Sequence, residues 1–104
     1  MAKKYNIKYT SRFMIQFHEI LFHIRFELKN EIAAERISNE IVKAIEKRSI
    51  CPEAFQIFKS YSNNRIKYYK INVKSYSIFY QIENGVMIVC AIYYSKRDLD
   101  EMIK

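Results

Sequence analysis

Lys70, Asn72 and Lys74 alternate with Tyr68 onto one face of a predicted strand, and Arg65 and Lys67 fall on the other face with Tyr69 unless a bulge intervenes. Arg97 follows the last predicted strand and reaches the same neighbourhood if that strand neighbours the hairpin. Cations gathered on a sheet suit phosphate, lysine as a point charge and arginine as a two-pronged donor. Tyrosines beside them could stack on bases. The setting strengthens the signal: between Glu53 and Glu83 there is no acidic residue, while Lys59, Arg65, Lys67, Lys70 and Lys74 are basic and eight positions are aromatic. The chemistry on offer is therefore capture of an anion, either phosphate or an acidic peptide. The plainer alternative is a solvated sheet face whose charges deter edge-to-edge aggregation.

Other constellations are weak. Gly85 is the only glycine, which excludes a phosphate-cradling glycine loop, a dinucleotide fingerprint and a nucleophile elbow. His18 and His23 stand about 140° apart on a helix, so they cannot share a metal as residues four apart do, and both read as surface histidines. Cys51 and Cys90 are too few and too scattered for a disulfide framework or a zinc site and read as buried thiols. Neither a metal nor another cofactor is expected.

The elements that must position the cations follow from hydrophobic periodicity. The 104 residues suit one domain that buries a real core. The net charge of +7 favours anionic partners. The polar start argues against a signal peptide, and no apolar run approaches the ~20 residues of a membrane span, so a cytoplasmic protein without membrane contact is expected.

Residues 4–9 alternate as a short strand, and Thr10 is placed to cap the helix that follows. That helix is predicted over 11–28, with Phe13, Phe17, Ile20, Leu21, Ile24 and Leu28 on one apolar stripe. A second stripe, Ile15, Phe22 and Phe26, lies about 170° away and needs a neighbouring helix or a partner protein. Asn30 caps a second helix over 31–48, buried through Ala33, Ala34, Ile37, Ile41, Ala44 and Ile45, and Lys29-Asn30 makes the pair an antiparallel hairpin. Cys51-Pro52 ends it, and 53–64 reads as a loop or short helical turn. Strands are predicted over 65–73, 76–82 and 86–94, joined at Lys74-Ser75 and at Asn84-Gly85, the strongest hairpin signal in the chain. The unbroken apolar run from Val86 to Ile92 suggests a strand covered on both faces. A last helical turn is expected over 98–103. The sum is an α+β domain: an N-terminal strand, then an antiparallel helical hairpin packed on an antiparallel sheet of about four strands.

In this order the residues resemble the RelE/ParE superfamily of toxins from type II toxin–antitoxin modules. The resemblance covers nearly the whole chain and is carried by Tyr9-Thr10 before a helix, Ala33-Ala34 in the helical hairpin, and Tyr69-Lys70-Ile71-Asn72-Val73. It continues through Tyr76-Ser77-Ile78-Phe79-Tyr80-Gln81-Ile82 and the closing Ile92-Tyr93-Tyr94-Ser95-Lys96-Arg97-Asp98-Leu99. It implies a single toxin domain that causes growth arrest or stabilises a plasmid and is neutralised by a cognate antitoxin. Ile15, Phe22 and Phe26 would suit the antitoxin, whose segment could fold on binding.

Two activities are implied by the superfamily. ParE-like members poison DNA gyrase. RelE-like members cut mRNA on the ribosome, using lysines and arginines around the hairpin. Carried over residue by residue, Lys70 and Arg97 keep two cations of the ribonuclease pattern, with Lys67 and Tyr69 as further candidates. The second lysine falls at Asn72, the arginine of the next strand falls at Ser77, and the late tyrosine has no clear counterpart, Ile103 lying near its place. A lost cation removes stabilisation of the phosphorane. The ParE-like branch, a non-enzymatic gyrase poison, is therefore favoured, with Arg65, Lys67, Lys70, Lys74 and Arg97 expected to meet the target. A ribosome-dependent mRNA endonuclease is the alternative, and a non-toxic basic nucleic-acid-binding module the second.

Overall fold

The computed structural model describes residues 4–55, 57–58 and 67–94. Its strands are β1 (Asn6–Tyr9), β2 (Ile57–Phe58), β3 (Tyr68–Val73), β4 (Tyr76–Glu83) and β5 (Val86–Tyr94), and its α-helices are α1 (Ser11–Phe22) and α2 (Glu31–Arg48). The strands form one sheet in the order β1-β5-β4-β3-β2, with the helical pair packed on one face. The α+β arrangement is the expected one, but the sheet is mixed rather than antiparallel. β1 runs parallel to β5, with Ile7 opposite Met87 and Tyr9 opposite Val89. Parallel neighbours need a long crossover, and the helical hairpin with the β2–β4 segment supplies it.

α1 starts where β1 stops. The Thr10 hydroxyl accepts a hydrogen bond from the Phe13 amide at 3.1 Å, which is the expected cap. The same hydroxyl donates to the Cys90 carbonyl at 2.9 Å, and the Thr10 amide donates to the Val89 carbonyl at 3.0 Å. Beyond Val89 the strand has no β1 partner, and Gln16 takes over: its Oε1 accepts from the Ile92 amide at 2.9 Å. Polar groups of a helix thus satisfy backbone that a sheet neighbour leaves unpaired.

The predicted stripe of α1 is borne out at Phe13 and Ile24, which are buried, and at Phe17 and Ile20, which pack against the core. Leu28 is a correction, being 60% exposed. Residues His23–Glu27 form a π-helical turn in which the Leu28 amide bonds to the His23 carbonyl at 3.0 Å. A π turn holds more residues than an α turn, so Leu28 is rotated off the stripe. Lys29 then takes a left-handed conformation (φ 52°) and reverses the chain, and the Asn30 side chain caps α2 by accepting from the Ala33 amide at 3.0 Å.

In the run from Val86 to Ile92 the helices cover Met87, Val89 and Ile92 on one face, and Ala91 on the other face is also buried. Phe79 pairs with Ala91 and Tyr80 with Val89, so Cys90 is an extra residue, a bulge. The bulge shifts the alternation by one. Met87 and Val89 before it, and Ile92 after it, therefore all enter the helix-facing core. Asn84 (φ 51°) and Gly85 (φ 75°) make the expected β4–β5 hairpin turn with two left-handed residues.

Thr10→Ala removes both the helix cap and the donor to Cys90, so it is expected to lower stability by about 1–3 kcal/mol. The check is a lower urea midpoint with an unchanged denaturant slope.

Candidate functional site

The face of the sheet turned away from the helices is built by strict alternation on β3 and β4. Tyr69 and Ile71 point into the core, so Lys70 and Asn72 lie on the other face. Lys70 lies opposite Phe79, which lies opposite Ala91, and Asn72 lies opposite Ser77, which lies opposite Tyr93. The floor of this face is closely packed. Ser77 is fully buried with its hydroxyl 3.5 Å from Asn72 Oδ1, and the Phe79 and Tyr93 rings meet edge to face at 6.0 Å. Arg12, from the first turn of α1, reaches past the edge of β5, donates to the Tyr93 hydroxyl and sits 5.8 Å above its ring.

The structure sorts the predicted cations. Lys70 is on that face, and Lys67 is exposed just before β3. Lys74 does not join them. It occupies the turn in a left-handed conformation (φ 53°), and its Nζ lies 3.3 Å from Glu40 Oε1 on α2. Tyr69 is separated from Lys70 as well: it is 8% exposed and stacks on Tyr80 at 5.1 Å in the core. Arg65, Arg97 and the predicted turn over 98–103 lie outside the described residues. Arg12 was not singled out by the sequence, because only the α1–β5 joint brings it to Tyr93.

Lys70 is held in place from below. Among the described residues β2 pairs with Tyr68 and Tyr69, and Arg48 Nη1 donates to the Lys70 carbonyl at 3.1 Å. Arg48 also donates to the Tyr80 hydroxyl at 3.2 Å and stacks 3.7 Å from the centre of the Phe55 ring. The Tyr80 hydroxyl donates in turn to the Pro52 carbonyl at 2.7 Å. One guanidinium thus joins α2, β3, β4 and the turn after α2.

The second apolar stripe is open to solvent. Ile15, Phe22 and Phe26 are 59%, 57% and 58% exposed, and the two phenylalanine rings touch at 4.8 Å. Leu28 and Ile32 extend this surface at the helical hairpin. His18 and His23 are exposed, His23 bonding to Glu27 at 2.6 Å, as expected of surface histidines. Cys51 and Cys90 are free and only half-buried, a modest correction to the reading of both as buried. Among the described residues no cluster of histidine, cysteine and carboxylate groups could hold a metal.

Burial raises the pKa of Tyr80 above the ordinary 10.0, and the Arg48 hydrogen bond and charge partly oppose the shift. A raised folded-state value means that stability is intact below pH 10 and is lost as pH rises past it, because the unfolded chain ionises first. The urea midpoint should therefore fall above about pH 10, and Tyr80→Phe should make that fall shallower while lowering stability at neutral pH by about 1–2 kcal/mol.

The comparisons with known proteins agree with this geometry. The family model for the ParE toxin of the type II toxin–antitoxin system, parDE, matches residues 7–99. A solved structure described as "Chromosomal ParDE TA system from P. aeruginosa" superposes with a TM-score of 0.72, covering 88% of this chain and 97% of that one. Its sequence identity is 12%, so the likeness concerns the fold. No curated protein matches the sequence. Among the described residues no helix is long and apolar enough to cross a membrane. With the family match spanning the sheet, the helical hairpin and both candidate surfaces, this chain belongs to the ParE toxins of type II toxin–antitoxin systems.

Proposed function

We propose that this toxin arrests growth by binding DNA gyrase in the cytoplasm, without hydrolytic chemistry, and that a cognate antitoxin encoded beside it silences it. The observation that carries this reading is the make-up of the sheet face turned away from the helices. Cleavage of RNA needs acid–base groups within hydrogen-bond reach of the reacting atoms and cations around the phosphorane. Asn72 and the buried Ser77 stand where the ribonuclease pattern places cations, and Tyr69 is stacked in the core. The described part of this face departs from the ribonuclease pattern at Asn72, Ser77 and Tyr69. The exposed Ile15, Phe22 and Phe26 suit an amphipathic antitoxin helix, which would bury them.

Two assays test this on purified protein. The toxin is expected to inhibit supercoiling by gyrase and to accumulate broken DNA, while leaving mRNA intact in a reconstituted translation system. Ribosome-dependent cleavage of the message would overturn the reading in favour of the RelE-like endonuclease.

The antitoxin surface has its own test. Phe22→Ser with Phe26→Ser is expected to keep the folded state within about 1 kcal/mol, since both rings are largely solvated. The same pair should weaken antitoxin binding at least about tenfold, because buried aromatic anchors dominate such interfaces. Titration calorimetry against the antitoxin reads the change.

A further inference from the structure

We propose that in the free toxin the exposed ridge of α1 is covered by a second copy of this chain, α1 lying antiparallel on α1, and that the antitoxin must displace that copy. The pairing goes beyond the function proposed above; the displacement rests on its reading of Ile15, Phe22 and Phe26 as the antitoxin surface.

The ridge is large for a face without a neighbour. Ile15, Phe22, Phe26 and Leu28 are each more than half exposed, and Ile32 is 77% exposed. Together they leave roughly 500–600 Å² of apolar surface in water, at the upper end for a soluble monomer. A two-fold pair would bury roughly 1,000–1,200 Å², which reaches the lower range of specific interfaces. The Phe22 and Phe26 rings already touch at 4.8 Å, so ordering them on association costs little.

The spacing along the ridge suits its own copy. Ile15 precedes Phe22 by about 10 Å along the helix, and Phe26 follows Phe22 by one turn. A two-fold axis crossing between Ile20 and Leu21 sets Ile15 of each copy opposite Phe26 of the other. The same axis brings the two Phe22 side chains together, about 4–5 Å apart along the helix.

The charges around the ridge favour the same occupant. Glu19, Glu27, Glu31 and Glu35 flank it with Arg25, Lys29 and Arg36, and Arg25 lies 3.5 Å from Glu31. The +7 of the whole chain is therefore not expressed on this surface. A lipid headgroup or a nucleic-acid phosphate would meet no positive excess here. A copy of the same surface carries both signs and meets little net repulsion.

The test is sedimentation velocity of the intact wild-type toxin from about 1 to 200 µM, which should show a monomer–dimer equilibrium with Kd on the order of 10 µM. Phe22→Ser with Phe26→Ser should weaken the dimer at least about tenfold. Ile50→Ser removes an exposed apolar side chain beyond the far end of α2 and should leave Kd within about twofold. Ile15→Glu and Phe26→Lys should each be monomeric, and their equimolar mixture should recover a dimer, because the antiparallel register sets the introduced charges face to face. Circular dichroism confirms that each variant is folded. Equal losses in Ile50→Ser and in the phenylalanine pair would overturn the proposal. So would a mixture no more dimeric than its components, or a wild type that stays monomeric and floats with phosphatidylglycerol vesicles.

Energy transfer between two dye-labelled pools of toxin reports the contact, and added antitoxin should abolish it. If the wild type stays monomeric while antitoxin binding still needs Phe22 and Phe26, the pairing is wrong and the antitoxin surface stands. If the dimer forms through these rings and the antitoxin binds without breaking it, the pairing stands, and the displacement falls with the antitoxin reading of this face.

Discussion

The sheet depends on how β5 is satisfied along its β1 side. β1 reaches only to Val89, and the chain must leave the sheet there to form α1. Thr10 and Gln16 complete the backbone bonding of Cys90 and Ile92 from the helix. An unpaired backbone group costs about 1–3 kcal/mol when buried, so this joint fixes where α1 lies along the sheet. Its position in turn decides which residues of α1 can reach over the edge. Arg12 meets Tyr93 because Thr10 is anchored on Cys90.

The opposite edge uses the same device with a different donor. Among the described residues β2 pairs with the first two residues of β3, and Arg48 reaches the next carbonyl from α2. Both helices therefore donate or accept side-chain hydrogen bonds at strand backbone. Short edges with side-chain cover also resist pairing with other chains. The two helices are thereby committed to one face of the sheet and to its rims.

Local chemistry was legible in the sequence. Asn84-Gly85, Thr10 and Asn30 each act through their own backbone or a neighbour three residues away, and each does what its residue type implies. Alternation also put Tyr69 and Lys70 on opposite faces, even though the superfamily pattern grouped them as candidates for one site. What escaped was non-local. The direction of β1 relative to β5 depends on the whole intervening chain. The partner of Lys74 is a glutamate on α2, distant in sequence. The bulge at Cys90 leaves no mark in an apolar run, because every residue there is compatible with either face.

The π turn over His23–Glu27 gives α1 a spare residue. A helix of fixed ends can lose one position at such a turn and close into regular α geometry. A single-residue deletion there would leave Leu28 in place and bring Phe22 and Phe26 from four to three positions apart, changing how the two rings meet. The spacing of the two rings is thus set by chain length as much as by residue identity. Relatives that differ only by an insertion or deletion at this turn would keep the fold and present a differently aimed apolar surface. Partner choice could then diverge without a change at any contacting residue.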